Sequence, residues 1–456
     1  MTTKQQESSS LKFVTLVSII AAIGGLLFGF DTAVVSGAIG FMETKFNLTD
    51  FQVGWAVSSL IVGCIIGAAF AGVLSDKFGR KRVLLVAAIL FIISCIGSAT
   101  PDSFNIYIIF RIIGGLGIGI TSTLCPLYNA EIAPTKYRGR LVALNQLATV
   151  TGIFLVYFVN LWISNSGDTA WQIESSWRWM FGTGAIPGLI FLIALFFVPE
   201  SPRWLMKQGR REEANSILKK IHGEELAAQE IVDIEQSFKR KQGTFSELFK
   251  SPTLRAALIV GVVLAVMQQV TGINAVMYYA PEIFKEAGAG TNAALIQTIF
   301  IGFINFAFTI LAIWLIDKVG RKQLLMFGSA GMAISLLVIS YAFQSEQTSS
   351  TVLLIFLLIY VASFAVSLGP VVWVIMSEIF PNHVRGIATA IGSMSLWIAD
   401  YIVSQSFPSL LSSIGASSTF IIFAVLSIFT FFFSWKKVPE TKDIPLEQIE
   451  SLWVKG

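Results

Sequence analysis

The stretch Gly72-Val-Leu-Ser-Asp76-Lys77-Phe-Gly79-Arg80-Lys81-Arg82 returns 241 residues later as Asp317-Lys318-Val-Gly320-Arg321-Lys322. A second pair keeps nearly the same offset: Glu131-Ile-Ala-Pro134 with Arg138-Gly139 matches Glu378-Ile-Phe-Pro381 with Arg385-Gly386, 247 residues on. A looser third pair sets Pro199-Glu200-Ser201 against Pro439-Glu440-Thr441. Collinear landmarks mean that the chain is a duplication. Each landmark is a charged knot between long apolar runs, so the duplicated unit is a membrane half. Parallel repeats of this kind build transporters that hold substrate near the midplane, at the repeat interface.

Composition agrees. Of 456 residues, 54% are hydrophobic and 13% charged, against about 25% charged in soluble proteins. Crossing a hydrocarbon core takes roughly 20 apolar residues. Breaks at Gly, Pro and charge clusters delimit twelve spans: 13–39, 52–74, 83–100, 104–128, 140–163 and 178–198, then 254–281, 292–316, 323–344, 351–377, 386–411 and 417–435. The first run is too long for a signal-peptide core and lacks a small-residue cleavage site, so it is read as a retained helix. The expected fold is all-α, with twelve transmembrane helices in two pseudo-symmetric six-helix halves. The boundaries are 1–198 for the first half, 199–252 for a helical cytoplasmic linker, 253–436 for the second half and 437–456 for a tail.

Basic residues set the orientation. Lys77 to Arg82, Lys136 to Arg140, Lys318 to Lys322 and His383 to Arg385 fall on one side, with the linker and tail. The opposite side holds Lys45, Lys285 and, at a helix edge, Arg178. The basic side is cytoplasmic, which places both termini inside. An outer loop near 162–179 carries Trp162, Trp171, Trp177 and Trp179, as an interfacial aromatic belt would. In the linker, Ile217, Leu218 and Ile221 recur at helical spacing among mixed charges, which predicts short helices.

Glycine pairs such as Gly25 and Gly29, Gly63 and Gly67, and Gly115 and Gly119 lie inside apolar spans. They suit close helix packing rather than a nucleotide loop. Cys64, Cys95 and Cys125 are read as small buried residues. No Walker loop, metal-ligand spacing or nucleophile–base pair is present, so no enzyme activity, metal or cofactor is expected.

The chemistry must lie in polar groups at membrane depth. A charge at a helix centre costs about 2.5–3.5 kcal/mol on insertion scales. Three candidates stand out: Asp31 in span 1, Arg111 in span 4 and Asp400 in span 11. Span 1 runs outward and span 4 inward, so Asp31 and Arg111 both occupy the outer half, where they can meet. Pairing with a cation favours a charged carboxylate and desolvation disfavours it, a balance that suits proton exchange. A static ion pair between two helices is the other reading. Asp400 either lines the cavity or holds a helix contact. Among neutral groups, Gln268, Gln269, Thr271, Asn274, Tyr278 and Tyr279 occupy span 7, Gln146 span 5, Asn305 span 8, Trp373 span 10 and Trp397 span 11. Side-chain amides donate and accept together, as a ring of hydroxyls requires, and tryptophan supplies a flat apolar wall. A site for a neutral polyol follows.

With these residues in view, the chain resembles the sugar porters of the major facilitator superfamily. The likeness covers nearly the whole chain. It rests on the two Gly-Arg-Lys knots, Pro199-Glu-Ser-Pro-Arg203-Trp204-Leu205, Gln268-Gln269-Val-Thr-Gly-Ile-Asn274 and Pro439-Glu-Thr-Lys442. The resemblance implies that Gln146, Gln268, Gln269, Asn274, Asn305 and Trp373 contact the sugar. Phe28 and Trp397 would line the cavity, with Tyr278 and Tyr279 near the outer gate. It implies a cytoplasmic gating network of Asp76, Arg80, Glu131, Arg138, Asp317, Arg321, Glu378 and Arg385 that stabilises the outward-open state. Asp31 matches the acid of proton-coupled members and Arg111 its partner; animal glucose facilitators have Asn in place of Asp31. The implied activity is import of a hexose or pentose with protons by alternating access. A sugar uniporter and a proton-coupled polyol or inositol carrier are the alternatives. The implied partners are a monosaccharide, protons and the lipid bilayer of the cell membrane, with no nucleic acid and a monomeric chain. Three positions depart from the family: Ile153 where proton-coupled xylose members carry Gln, Leu396 where many carry Gln or Asn, and Asp443 where Gly is usual.

Overall fold

The computed structural model describes residues 3–134, 137–239, 243–345, 350–381 and 383–442. Lys136, Asp443 and the side chain of Arg138 lie outside the described residues. Helix accounts for all regular structure among those described. The first six helices are α1 (Thr3–Phe46), α2 (Asp50–Phe78), α3 (Arg80–Ala99), α4 (Phe104–Ile132), α5 (Arg138–Ser164) and α6 (Thr169–Phe196). Four short helices follow: α7 (Pro202–Lys207), α8 (Arg211–His222), α9 (Glu224–Lys239) and α10 (Phe245–Lys250). Then come α11 (Pro252–Val270), α12 (Ile273–Glu286), α13 (Thr291–Val319), α14 (Arg321–Gln344), α15 (Ser350–Val366), α16 (Leu368–Glu378) and α17 (Arg385–Lys437).

Among the described residues, eleven helical segments are long and apolar enough to cross a bilayer. Among them, α11 with α12 and α15 with α16 each form one crossing. The last, α17, has 53 residues. At 1.5 Å per residue it would run to about 80 Å, more than twice a hydrocarbon core. Gly415, at φ 80° and ψ 163°, breaks it into two crossings. The total is twelve, and the chain is a multi-pass membrane protein.

One expectation needs correcting. The tryptophan-rich segment is mostly helix rather than loop: after a short turn at 165–168, α6 begins at Thr169 and passes through a π-helical turn at Gln172–Ser176. The helix therefore starts before residue 178, where the polar residues suggested a boundary. Trp162 and Trp179 are exposed, but Trp177 is fully buried. Its Nε1 donates to the Ile173 carbonyl at 3.2 Å, and its ring meets Phe46 edge-on.

By contact density the chain forms two compact units that do not follow sequence order. Unit one is Met1–Thr32, Val62–Ile153 and Arg178–Lys241. Within it, α3 packs on α4 and α6. In a bilayer, helices gain nothing from burying apolar surface against each other, so backbones must approach closely. A methyl on Gly63 would sit 2.2 Å from the Ile112 carbonyl oxygen, and one on Gly29 would sit 1.9 Å from that of Thr149. Cys64, Cys95 and Cys125 are buried and unbridged. The short helices bury two small cores, one of Trp204, Leu205 and Ala214, the other of Leu218, Ala227 and Ile231.

Unit two is Ala33–Ile61, Phe154–Trp177 and everything from Gln242 onward. Here α14 packs on α15 and α17, and α11 also packs on α17. Stacked rings of Phe343 on Phe420 and Phe407 on Phe423 fill the contact beside the Gly415 break.

Candidate functional site

Helix breaks shape the polar cluster of unit two. Between α11 and α12 the chain unwinds at Thr271 and Gly272, the latter at φ 96°. Between α15 and α16 it unwinds at Ser367. Each break frees backbone carbonyls that lipid cannot satisfy, so protein groups must do so. Gln268 Nε2 donates to the Leu368 carbonyl at 2.7 Å and to that of Gly369 at 2.9 Å. Tyr360 returns the favour, donating its hydroxyl to the Thr271 carbonyl at 2.9 Å. The two breaks therefore satisfy each other, and Gln268 keeps only Oε1 for a ligand.

Beyond the first break, Asn274 Nδ2 donates to Gln269 Oε1 at 2.8 Å. Asn305 is buried, and its amide has no hydrogen-bond partner among the described residues. Tyr278 and Tyr279 are buried, and the Tyr279 hydroxyl donates to the Ser404 carbonyl at 2.9 Å. Trp397 is buried on α17, whereas Trp373 on α16 is 40% exposed. In unit one, Phe28 and Gln146 are half-buried. No group among the described residues hydrogen-bonds the Gln146 amide.

The expected acid–base pair forms within unit one. Arg111 Nη1 donates to Asp31 Oδ1 at 2.7 Å and Nη2 to the Asp31 carbonyl at 3.3 Å. The guanidinium lies 5.0 Å from the centre of the Phe181 ring. Both side chains are almost entirely removed from solvent. The pair is monodentate: Asp31 Oδ2 and Arg111 Nε are buried without a partner among the described residues. Buried polar atoms are nearly always satisfied, so each exception calls for a reason.

The charged knots are built twice, almost atom for atom. In unit one, Arg80 holds Glu131 through Nε at 3.0 Å and Nη2 at 2.9 Å, and holds Asp76 through Nη1 at 3.1 Å. In unit two, Arg321 holds Glu378 at 3.1 and 2.9 Å and Asp317 at 3.1 Å. Arg385 donates to the Phe380 carbonyl at 3.1 Å.

The third repeated landmark completes each knot, and its atomic role was not read from the sequence. Glu200 Oε1 accepts from the Arg80 and Lys81 backbone N–H groups at 2.9 and 3.2 Å. Glu440 accepts from the Arg321 N–H through Oε1 at 3.0 Å and from the Lys322 N–H through Oε2 at 3.1 Å. Each glutamate thus caps a helix N-terminus from about 120 residues away in sequence, where a carboxylate meets both free donors and the positive end of the helix dipole. Gly79 and Gly320, at φ 96° and 101°, make room: an added Cβ would sit 2.3 and 2.6 Å from those carboxylates. Ser201 and Thr441 each donate at 2.6 Å to the glutamate that the arginine holds. The spacing of the landmarks was the signal for these partners.

Duplicated capped knots, mutually satisfied helix breaks and a buried ion pair in a twelve-span bundle define a polytopic secondary carrier. The chain belongs to the sugar (and other) transporter family, whose profile matches residues 17–453. It is 47% identical to the arabinose–proton symporter of Bacillus subtilis (strain 168), over 98% of this chain and 97% of that one. It is 43% identical to the D-xylose–proton symporter of Escherichia coli (strain K12), over 97% and 96%. The inward-open structure of the E. coli xylose transporter XylE superimposes with a TM-score of 0.86 at 42% identity, covering 97% of this chain and 100% of that one.

Proposed function

We propose that this protein imports a monosaccharide, a hexose or a pentose, together with protons. It works by alternating access as a single chain in the cell membrane, with both termini cytoplasmic. The single observation that carries the reading is the Asp31–Arg111 pair, buried at membrane depth with Asp31 Oδ2 unpartnered among the described residues. A carboxylate held by one oxygen keeps the other free to take a proton. Protonation removes the charge that Arg111 holds and loosens α1 from α4. Proton and sugar move the carrier only through their differential affinity for its states.

In this reading Gln268, Gln269, Asn274, Tyr278, Asn305, Trp373 and Trp397 contact the sugar in the second repeat, as do Phe28 and Gln146 in the first. The two capped knots are the gating network on the cytoplasmic side. Contacts within unit two are proposed as the outer latch. Ser58 donates to Gln405 Oε1 at 2.6 Å, Gln405 Nε2 to the Phe51 carbonyl at 3.0 Å, and Ser412 to Asp50 at 2.6 Å.

The test is uptake of labelled glucose, xylose, galactose and arabinose into proteoliposomes, with and without an inward proton gradient. Gradient-driven accumulation of one sugar supports the proposal. Equilibration without accumulation makes the protein a uniporter and the ion pair structural. No uptake of the four turns the search to inositol and other polyols.

A further inference from the structure

Phe181 has no part in the mechanism above, yet it touches the coupling pair. It is buried on α6, whereas Asp31 belongs to α1 and Arg111 to α4. The Arg111 guanidinium lies over the Phe181 ring, 5.0 Å from its centre. Tyr107, one turn before Arg111, meets the same ring edge-to-face at 5.4 Å and is itself stacked on Phe104 at 6.2 Å. Packing therefore fixes the ring under the cation.

An aromatic ring has a negative face and a positive edge. While Asp31 is ionised, the ring meets an ion pair: it attracts the guanidinium and repels the carboxylate, and the two effects partly cancel. Once Asp31 takes a proton, the repulsion is gone and the cation has lost its carboxylate. Arg111 is 1% exposed, and its Nε has no partner among the described residues. The ring face and the Asp31 carbonyl still hold it. A cation over a ring within about 6 Å gains most where both are desolvated. The ring thus favours the protonated pair over the ionised one.

The other titratable groups acting on the pair are the Tyr107 phenol on α4 and the Cys95 thiol on α3, both ordinarily neutral at physiological pH. On α6, Arg178 lies three residues before Phe181 and is bound to Asp102 at 2.7 Å. Asp31 is the group whose titration the ring biases.

Resting on the proton-coupling reading, we infer that Phe181 is a positioning residue of the coupling step. Its π face receives the Arg111 guanidinium when Asp31 is protonated, and so sets the proton concentration at which the loaded carrier turns. The proton passes from the outer solution to Asp31, and Arg111 keeps its charge throughout.

The experiment places monofluoro- and trifluorophenylalanine at position 181 of the full chain, beside Phe181→Leu. Ring fluorine drains the π face and hardly changes the shape. Exchange of labelled for unlabelled sugar is followed in proteoliposomes across a pH series, with equal pH on both sides. The sugar is whichever of glucose, xylose, galactose and arabinose the wild type concentrates. Half-maximal exchange should move to lower pH with one fluorine, further with three and furthest in Phe181→Leu. The full displacement should be about 2- to 30-fold in proton concentration, as for one lost cation–π contact. In Asp31→Asn the profile should be flat, with or without ring fluorine.

A ring that only fills space leaves both fluorinated proteins on the wild-type profile, and that result overturns the inference; so does a shift to higher pH, or a fluorine-dependent shift in Asp31→Asn. The fluorinated series decides the matter even where Phe181→Leu does not fold. Wild-type exchange that ignores pH while sugar is still concentrated overturns this inference alone. If the wild type concentrates none of the four sugars on an inward proton gradient, the coupling reading itself fails and this inference falls with it.

Discussion

Replacing Asp31 by Asn changes the charge at one position and little of the shape. The variant leaves Arg111, 1% exposed, with the residue 31 carbonyl, the new amide oxygen and the Phe181 ring. Removing one member of a buried ion pair costs about 3–5 kcal/mol when the other is stranded. The retained carbonyl at 3.3 Å and the ring at 5.0 Å offset part of that, so a loss nearer the lower end is expected. Asp31→Leu with Arg111→Met should recover most of it, because an apolar pair of similar volume leaves no charge to solvate.

The functional effect is separate and sharper. One elementary charge moving through 100 mV supplies about 2.3 kcal/mol, which at one proton per sugar sustains roughly fiftyfold accumulation. With no carboxylate at position 31 that ratio should fall to one. Exchange of labelled for unlabelled sugar across the membrane, which needs no net proton movement, should persist. The assay is uptake at a fixed inward gradient beside counterflow in the same proteoliposomes. If Asp31→Asn still concentrates sugar against its gradient, the coupling assignment is wrong.

Four further outcomes are expected. Glu200→Ala strips two backbone donors of their cap at the start of α3 and should lower stability by about 1–3 kcal/mol, read as a fall in Tm; Glu440→Ala should match it, and an effect in one repeat alone would refute the equivalence of the knots. Gly63→Ala, whose methyl would meet the Ile112 carbonyl oxygen at 2.2 Å, should cost about 1–3 kcal/mol by overpacking in the same melting assay. Gln268→Ala bares the carbonyls of Leu368 and Gly369, so it should lower Tm as well as sugar affinity, whereas Gln146→Ala should lower affinity alone. Gln405→Ala deletes the bonds to Ser58 and Phe51, and cysteines placed beside it should then be labelled faster from the outer face by an impermeant reagent; an unchanged rate removes Gln405 from the latch.

Much of this protein was written in one dimension. Apolar runs can only become crossings in a bilayer, because lipid leaves each backbone group to be satisfied within its own helix. The duplication then marked the charged knots, and helix direction alone placed Asp31 within reach of Arg111. What periodicity cannot express is which atoms of a polar residue are already spent. Gln268 reads as a ligand for hydroxyls, yet both its donors go to carbonyls freed a hundred positions away. Glu200 and Glu440 read as repeat landmarks, and only the fold reveals them as helix caps. The tryptophan segment reads as loop until a π-helical turn and the burial of Trp177 make it helix. Asp400 reads only as a charge at membrane depth, and the fold alone sets the Ser404 hydroxyl against its Oδ1. Sequence determined where the chain crosses and where its charges gather, since both follow from local transfer energies. Tertiary structure decided the direction of each hydrogen bond, since that depends on partners brought together from distant positions.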